Sequence, residues 1–222
     1  MKTLLKSFTL TALTVCVLLA GTVQVKSDIS VGVDPAKTWY GYMNVYDLGG
    51  SYLWGSPWAL GDLPAVFSST ALTLSPNVST YNPADPYWVN PDGSGNKRME
   101  ANVYVEELSL GGNTLSFSGY TLSYTLAPGY YAQAFIKEFG PGWSWIGWDF
   151  QPLVAGSTFN VTRAIGAGNI AQYGFMLVGP NANPATVSTL GSASVALVPE
   201  PGSASLLGFG LLLSLGLLRQ RK

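Results

Sequence analysis

The sequence predicts an all-β domain, a β-sandwich or jelly roll, set between an N-terminal signal peptide and a C-terminal hydrophobic helix. Three observations predict it. Apolar and polar residues alternate one by one over many short stretches, the period of a strand with one buried face. Glycine, proline, asparagine and aspartate break these stretches at short intervals and supply turns. Only 10% of residues are charged while 13% are aromatic, a composition that suits pleated, half-buried surfaces better than helical bundles. With both ends given to targeting, about 170 residues remain for one domain, enough to bury a core without cross-links.

At the N-terminus, Lys2 and Lys6 are followed by an apolar run over residues 8–20 and a polar stretch over 21–27. This is the layout of a secretory signal peptide, assigned to residues 1–27. Cleavage after Ala20 and cleavage after Ser27 both fit. The apolar run is short for a membrane span. The one cysteine, Cys16, lies inside it, with Val15 before and Val17, Leu18 and Leu19 after, which is not the setting of a lipid-modified cysteine. The domain over residues 28–197 therefore has no cysteine and no disulfide.

Strands are expected over residues 38–48, 71–74, 99–108, 114–125, 130–139, 143–150, 157–163, 170–178 and 192–198. In the third of these, Ala101, Val103 and Val105 share one face, while Asn102, Tyr104 and Glu106 take the other. Around residues 172–177, Tyr173, Phe175 and Leu177 alternate with Gln172, Gly174 and Met176. Turns are marked by Gly49-Gly50, Pro91-Asp92-Gly93, Gly111-Gly112-Asn113, Pro128-Gly129 and Pro141-Gly142. No amphipathic helix of convincing length and no internal repeat is present in the sequence.

The near-neutral chain hides an acidic domain. Residues 28–198 hold five lysines and arginines against eleven aspartates and glutamates, a net charge of −6. Such a domain, without basic clusters, is not built for nucleic acid. With no histidine in the chain and no cysteine in the domain, Ser-His-Asp and Cys-His catalysis are excluded, as are zinc sites built on those ligands. Neither a cofactor nor a metal site is expected. Glycoside hydrolysis needs only two carboxylates, for which Glu100, Glu106, Glu107, Glu138 and Asp149 are available, but nothing in the sequence selects a pair. The expectation is a protein that is not an enzyme and has no catalytic residues.

The aromatic residues are the better lead to a binding site. The axial C–H face of a pyranose packs on an aromatic ring, while carboxylates and amides take its hydroxyls. Trp143 and Trp145 fall on one face of an expected strand, with Trp148 on the other unless a bulge intervenes. Tyr87 and Trp88 precede a polar turn containing Asn90, Asp92, Ser94 and Asn96. Tyr87, Trp88, Asp92, Trp143, Trp145 and Trp148 are thus the candidate ligand-binding residues. For any one of the seven tryptophans the bland alternative is a place in the core. Asp92 to Asn96 has oxygens at alternate positions, as calcium loops do, but lacks the closing glutamate and adjoins Lys97 and Arg98, so it reads as a turn. The two sequons, Asn77-Val78-Ser79 and Asn160-Val161-Thr162, are close to chance in a chain this rich in Asn, Ser and Thr.

The C-terminus, residues 198–222, has three parts. Pro199-Glu200-Pro201 comes first, then an apolar run over residues 204–218, then a basic end with Arg219, Arg221 and Lys222. The two prolines hold the motif extended and accessible. As a helix the run would reach about 22 Å, short of a bilayer core of about 30 Å, and snorkelling Arg and Lys make up part of the difference. A basic end stays in the cytoplasm, which leaves the domain outside. In order and content this segment resembles the PEP-CTERM sorting signal of Gram-negative bacteria. The resemblance implies that Pro199, Glu200 and Pro201 are recognised by an exosortase, a membrane-embedded processing enzyme. It also implies that Arg219, Arg221 and Lys222 form the membrane stop. The chain would be anchored transiently by its C-terminal helix, then reside at the cell surface or in the extracellular matrix, where the family is linked to exopolysaccharide and biofilm.

Within the domain, Leu108 to Ser118 resembles the leader strand of jelly-roll carbohydrate-binding modules, with its glycine-asparagine-threonine turn before a strand. Residues 153–162, 172–177 and 190–195 follow the order of that fold, although the acidic pair common in its last strand is missing here. The resemblance implies the fold more than the function. Two functions are expected from these readings: a structural or adhesive envelope protein, or a module that binds extracellular polysaccharide through exposed aromatics.

Overall fold

Residues 27–198 are described by the computed structural model, and the regular elements among them are strands and single 3-10 turns. The first half contains β1 (Asp28–Val31), β2 (Trp39–Tyr46), β3 (Tyr52–Pro57), β4 (Ala65–Phe67), β5 (Ala71–Leu74) and β6 (Arg98–Glu107). The second contains β7 (Thr114–Tyr124), β8 (Tyr131–Phe139), β9 (Trp145–Pro152), β10 (Thr158–Ala164), β11 (Ile170–Pro180) and β12 (Ala193–Ala196). No helix among these residues is long and apolar enough to cross a membrane. The expected signal peptide over residues 1–27, apart from Ser27, and the expected sorting tail from Pro199 onward, with Glu200, Pro201, Arg219, Arg221 and Lys222, lie outside the described residues.

The strands form two sheets. One has the order β3-β2-β6-β11-β8-β9, antiparallel throughout. The other is organised around β7, which pairs with β10 along one flank. On its other flank β1 pairs in parallel with Thr114 to Phe117, and β12 pairs antiparallel with Thr121 to Tyr124. The two short strands meet where the N–H of Val198 donates to the carbonyl of Val33 at 2.9 Å. β5 and β4 complete this sheet.

The core lies between the sheets and is built by the expected alternation. Ala101, Val103 and Val105 of β6 and Tyr173, Phe175 and Leu177 of β11 are buried inward. Phe117 of β7 is the hub, with ring centroids 5.2 Å from Phe159, 5.3 Å from Tyr173 and 5.2 Å from Phe175. Truncating a phenylalanine in such a setting costs roughly 3–5 kcal/mol. The turn at Pro128-Gly129 requires its glycine, because Gly129 has φ of 94°.

Three strands escape the sequence pattern. β3 carries Gly55 and Pro57 and sits at a sheet edge, where both are tolerated and alternation is not enforced. β1 and β4 are four and three residues long. The strand expected from residue 143 begins instead at Trp145, because Pro141-Gly142-Trp143 forms a 3-10 turn with φ of 69° at Gly142 and 63° at Trp143. A bulky side chain in the left-handed region is strained by roughly 1–3 kcal/mol.

Candidate functional site: an aromatic cleft on the six-stranded sheet

The outward face of the six-stranded sheet is neither flat nor conventionally polar. Cross-strand register lines its residues up in rows. Tyr40, Tyr104, Gly174, Phe135 and Phe150 form one row; Tyr42, Asn102, Met176 and Gln133 form the next; and Glu106, Gln172, Lys137 and Trp148 lie on the other side of the first. The middle of this face is buried although no third layer covers it among the described residues: Asn102 and Met176 are each 2% exposed. Large side chains from the flanking strands close over it. Gly174 cannot carry a Cβ, which would run into the backbone of Val103 and Tyr104. Lys137 extends across this row to Asn102.

These residues enclose a cleft of about 680 Å³. Tyr40 and Tyr42 of β2, with Tyr104 of β6, form one wall. Phe139 of β8, Trp143 of the 3-10 turn and Trp145 of β9 form the opposite wall. Between them the floor is polar, with Asn102, Glu106, Lys137 and Gln172. Tyr40, Trp143 and Trp145 are each about half exposed, so their rings are open to a ligand.

The floor is a connected hydrogen-bond network. Lys137 Nζ donates to Asn102 Oδ1 at 2.7 Å and lies 3.8 Å from Glu100 Oε1. Asn102 Nδ2 and Asn44 Nδ2 donate to that same carboxylate oxygen at 3.2 and 2.9 Å. The Tyr46 hydroxyl donates to Glu100 Oε2 at 3.3 Å. The ammonium of Lys137 also sits 4.6 Å from the Phe135 ring centre and 5.8 Å from that of Trp148. Burial pushes its pKa below the usual lysine range, against the pull of Glu100. Nearby, Gln172 Nε2 donates to Glu106 Oε2 at 3.1 Å. Burial, and then the charge of Glu106, hold the Tyr104 hydroxyl up to about 12.

Of the residues singled out in the sequence, Trp143 and Trp145 line the cleft, and Trp148 shares its face. The last arises from a β-bulge. Trp145 pairs with Phe139 and Gly147 with Glu138, so Ile146 is an extra residue that returns Trp148 to the side of Trp145. Trp148 then packs on Phe150 with centroids 4.6 Å apart.

Tyr87, Trp88 and Asp92 are not part of this site. Trp54 of β3 donates from Nε1 to the Tyr87 hydroxyl at 2.9 Å, placing the pair at the opposite edge of the sheet from β9. Trp88 meets Tyr87 and Trp54 edge-on and is half-buried against the core. Lys97 Nζ lies 4.2 Å from the Tyr87 ring centre. Asp92 Oδ1 accepts from the N–H and hydroxyl of Ser94 at 2.9 and 2.6 Å, closing the turn on itself. The residues the sequence did not single out for binding are Tyr40, Tyr42, Asn102, Tyr104, Lys137 and Gln172. Only the outward trio Asn102, Tyr104 and Glu106 carried a visible signal.

The carboxylates are dispersed, and Glu107 is paired with Lys37. Glu100 and Glu106 lie six residues apart on one strand, about 20 Å between their Cα atoms, and of the two only Glu106 lines the cleft. Glu138 and Asp149 are diagonal neighbours on the paired strands β8 and β9, and both are bound by Arg163, away from the cleft. Comparison with protein-family models, with curated proteins and with solved structures gives no match to this chain.

Proposed function

We propose that this is an exported, non-catalytic adhesive protein of the Gram-negative envelope that binds extracellular polysaccharide in the cleft of its six-stranded sheet. The observation that carries the binding reading is the pairing of two half-exposed aromatic walls with a polar floor of amide, carboxylate and ammonium groups. Rings can stack on the faces of successive sugars while the floor exchanges hydrogen bonds with their hydroxyls. That Glu106 is the one carboxylate in the cleft lining speaks for binding without cleavage.

The jelly-roll form of the sandwich belongs to the same proposal. It is supported by the way β6, β7, β8 and then β9, β10, β11, β12 pass back and forth between the sheets. Export by the signal peptide and sorting by an exosortase rest on the terminal segments of the sequence. The last described residue, Val198, leaves from the β1/β12 sheet and not from the sheet that carries the cleft. A tether to the membrane at that point leaves the cleft free.

Affinity electrophoresis of the purified protein through gels containing different polysaccharides, with tryptophan fluorescence alongside, tests the binding reading. Retardation by at least one polysaccharide is expected. Trp145→Ala or Tyr40→Ala should weaken it by about 1–2 kcal/mol, roughly 5- to 30-fold in Kd. No retardation on any polysaccharide, with fluorescence unaltered, would remove the proposal.

A further inference from the structure

We infer that the glycan is cationic, a polysaccharide with free amino groups, and that Glu106 takes its ammonium. This rests on the glycan-binding reading and narrows it to one chemical class. The first ground is that the cations of the domain are already engaged. Among the described residues, Lys37 is paired with Glu107, Arg163 with Glu138 and Asp149, and Lys137 with Glu100 and Asn102. Lys97 and Arg98 face the rings of Tyr87 and Tyr46. Lys137, the cation in the cleft lining, is thus already bound, and a uronate or sulfate group would face the carboxylate of Glu106 there.

The second ground is the state of Glu106. It lies in the cleft floor beside Gln172, and its one hydrogen bond is accepted by Oε2 from Gln172. No lysine or arginine is within ion-pair distance of it among the described residues, whereas Glu107, next in the chain, is paired with Lys37. An ionised carboxylate in a cleft, with one oxygen committed and the other open, is complementary to an ammonium.

The third ground is the company that Glu106 keeps. Tyr40 and Tyr104 pack with centroids 6.1 Å apart, and Trp143 and Trp145 stand across the cleft. Aromatic faces attract ammonium groups as well as sugar C–H groups, so walls and carboxylate favour the same ligand. At longer range the net charge of −6 draws a polycation and repels a polyanion.

Calorimetric titration of the purified protein with four hexasaccharides tests this: glucosamine, N-acetylglucosamine, glucose and galacturonate. The glucosamine hexamer is expected to bind at least tenfold more tightly than the other three, with affinity falling as salt is raised. In the Glu106→Gln variant, whose melting temperature is compared with that of the parent, this preference should shrink to less than threefold. Equal binding of the neutral and amino hexamers, or tightest binding of the galacturonate, overturns the inference and leaves the glycan reading standing. Binding of none of the four, combined with no retardation on any polysaccharide gel, overturns both.

Discussion

Arg163 of β10 and Glu138 of β8 join the two sheets from within the sandwich, Nε donating at 2.9 Å and Nη2 lying 2.8 Å from the same carboxylate oxygen. The other oxygen of Glu138 accepts from the Gly166 N–H at 2.8 Å and from Asn169 at 2.7 Å. Glu138 is buried, so removing the guanidinium strands a charge. Arg163→Ala should destabilise the domain by about 3–5 kcal/mol in urea unfolding. Burial alone would raise the Glu138 pKa, but the bonds from Gly166, Asn169 and Arg163 outweigh it and hold the carboxyl below its ordinary 4.5. A carboxylate with a depressed folded pKa contributes stability above its unfolded pKa and loses that contribution as pH falls through the folded value. The gap between parent and variant should therefore be full at pH 6 and close progressively below about pH 4.5. A gap that stays constant down to pH 2 would show that the pair is not what Arg163 contributes.

The tyrosines set the alkaline limit. Burial, aided by Glu100, holds Tyr46 up to about 12, and burial with Glu106 does the same for Tyr104. Burial also pushes Tyr42, Tyr130, Tyr131 and Tyr173 upward. In the unfolded chain these hydroxyls ionise near pH 10, so the folded state loses stability as pH rises beyond about 10. Phenolate absorbance should show a late, steep rise coincident with loss of the near-ultraviolet circular dichroism. A single titration centred near 10, with the fold intact, would contradict this placement of the rings.

The sorting tail gives a prediction in the cell. If Pro199-Glu200-Pro201 is read by a processing enzyme and the basic end stops transfer, Glu200→Ala and deletion of residues 219–222 should each leave full-length protein in the membrane fraction. Fractionation followed by immunoblotting measures it. Unchanged size and location in both variants would refute the sorting reading.

What could be read from the sequence was whatever depends on neighbours along the chain. The alternation in β6 and β11 needs only a strand with one buried face, and both strands stand where the pattern places them. The cleft depends instead on register. Tyr40 and Tyr104 become neighbours only because β2 pairs with β6 in one alignment, and a slip of one residue would turn Tyr40 inward. Trp148 depends on a single extra residue, Ile146, whose bulge no local pattern announces. Tyr87 and Trp88 stand apart from the cleft for the converse reason. Their polar surroundings in sequence look like a ligand site, but the rings are used to close the loop before β6 onto Trp54.

If the N-terminal segment is a cleaved signal peptide, Ser27 bears on where the cut falls. Its carbonyl accepts from the Thr114 N–H at 3.1 Å, and its hydroxyl donates to Asn113 Oδ1 at 2.7 Å. These bonds continue the parallel pairing of β1 with β7 one step before Asp28 and Thr114. Cleavage after Ser27 would delete both and put a new terminal charge on the first residue of a four-residue strand. Each lost bond costs about 0.5–1.5 kcal/mol. Of the two sites that fit a signal peptide, the one after Ala20 leaves the β1 pairing whole. Mass spectrometry of the exported protein should therefore find an N-terminus at Gly21. A mature chain beginning at Asp28 would mean that β1 holds without its leading residue, and a Ser27→Gly variant would then melt at the same temperature as the parent.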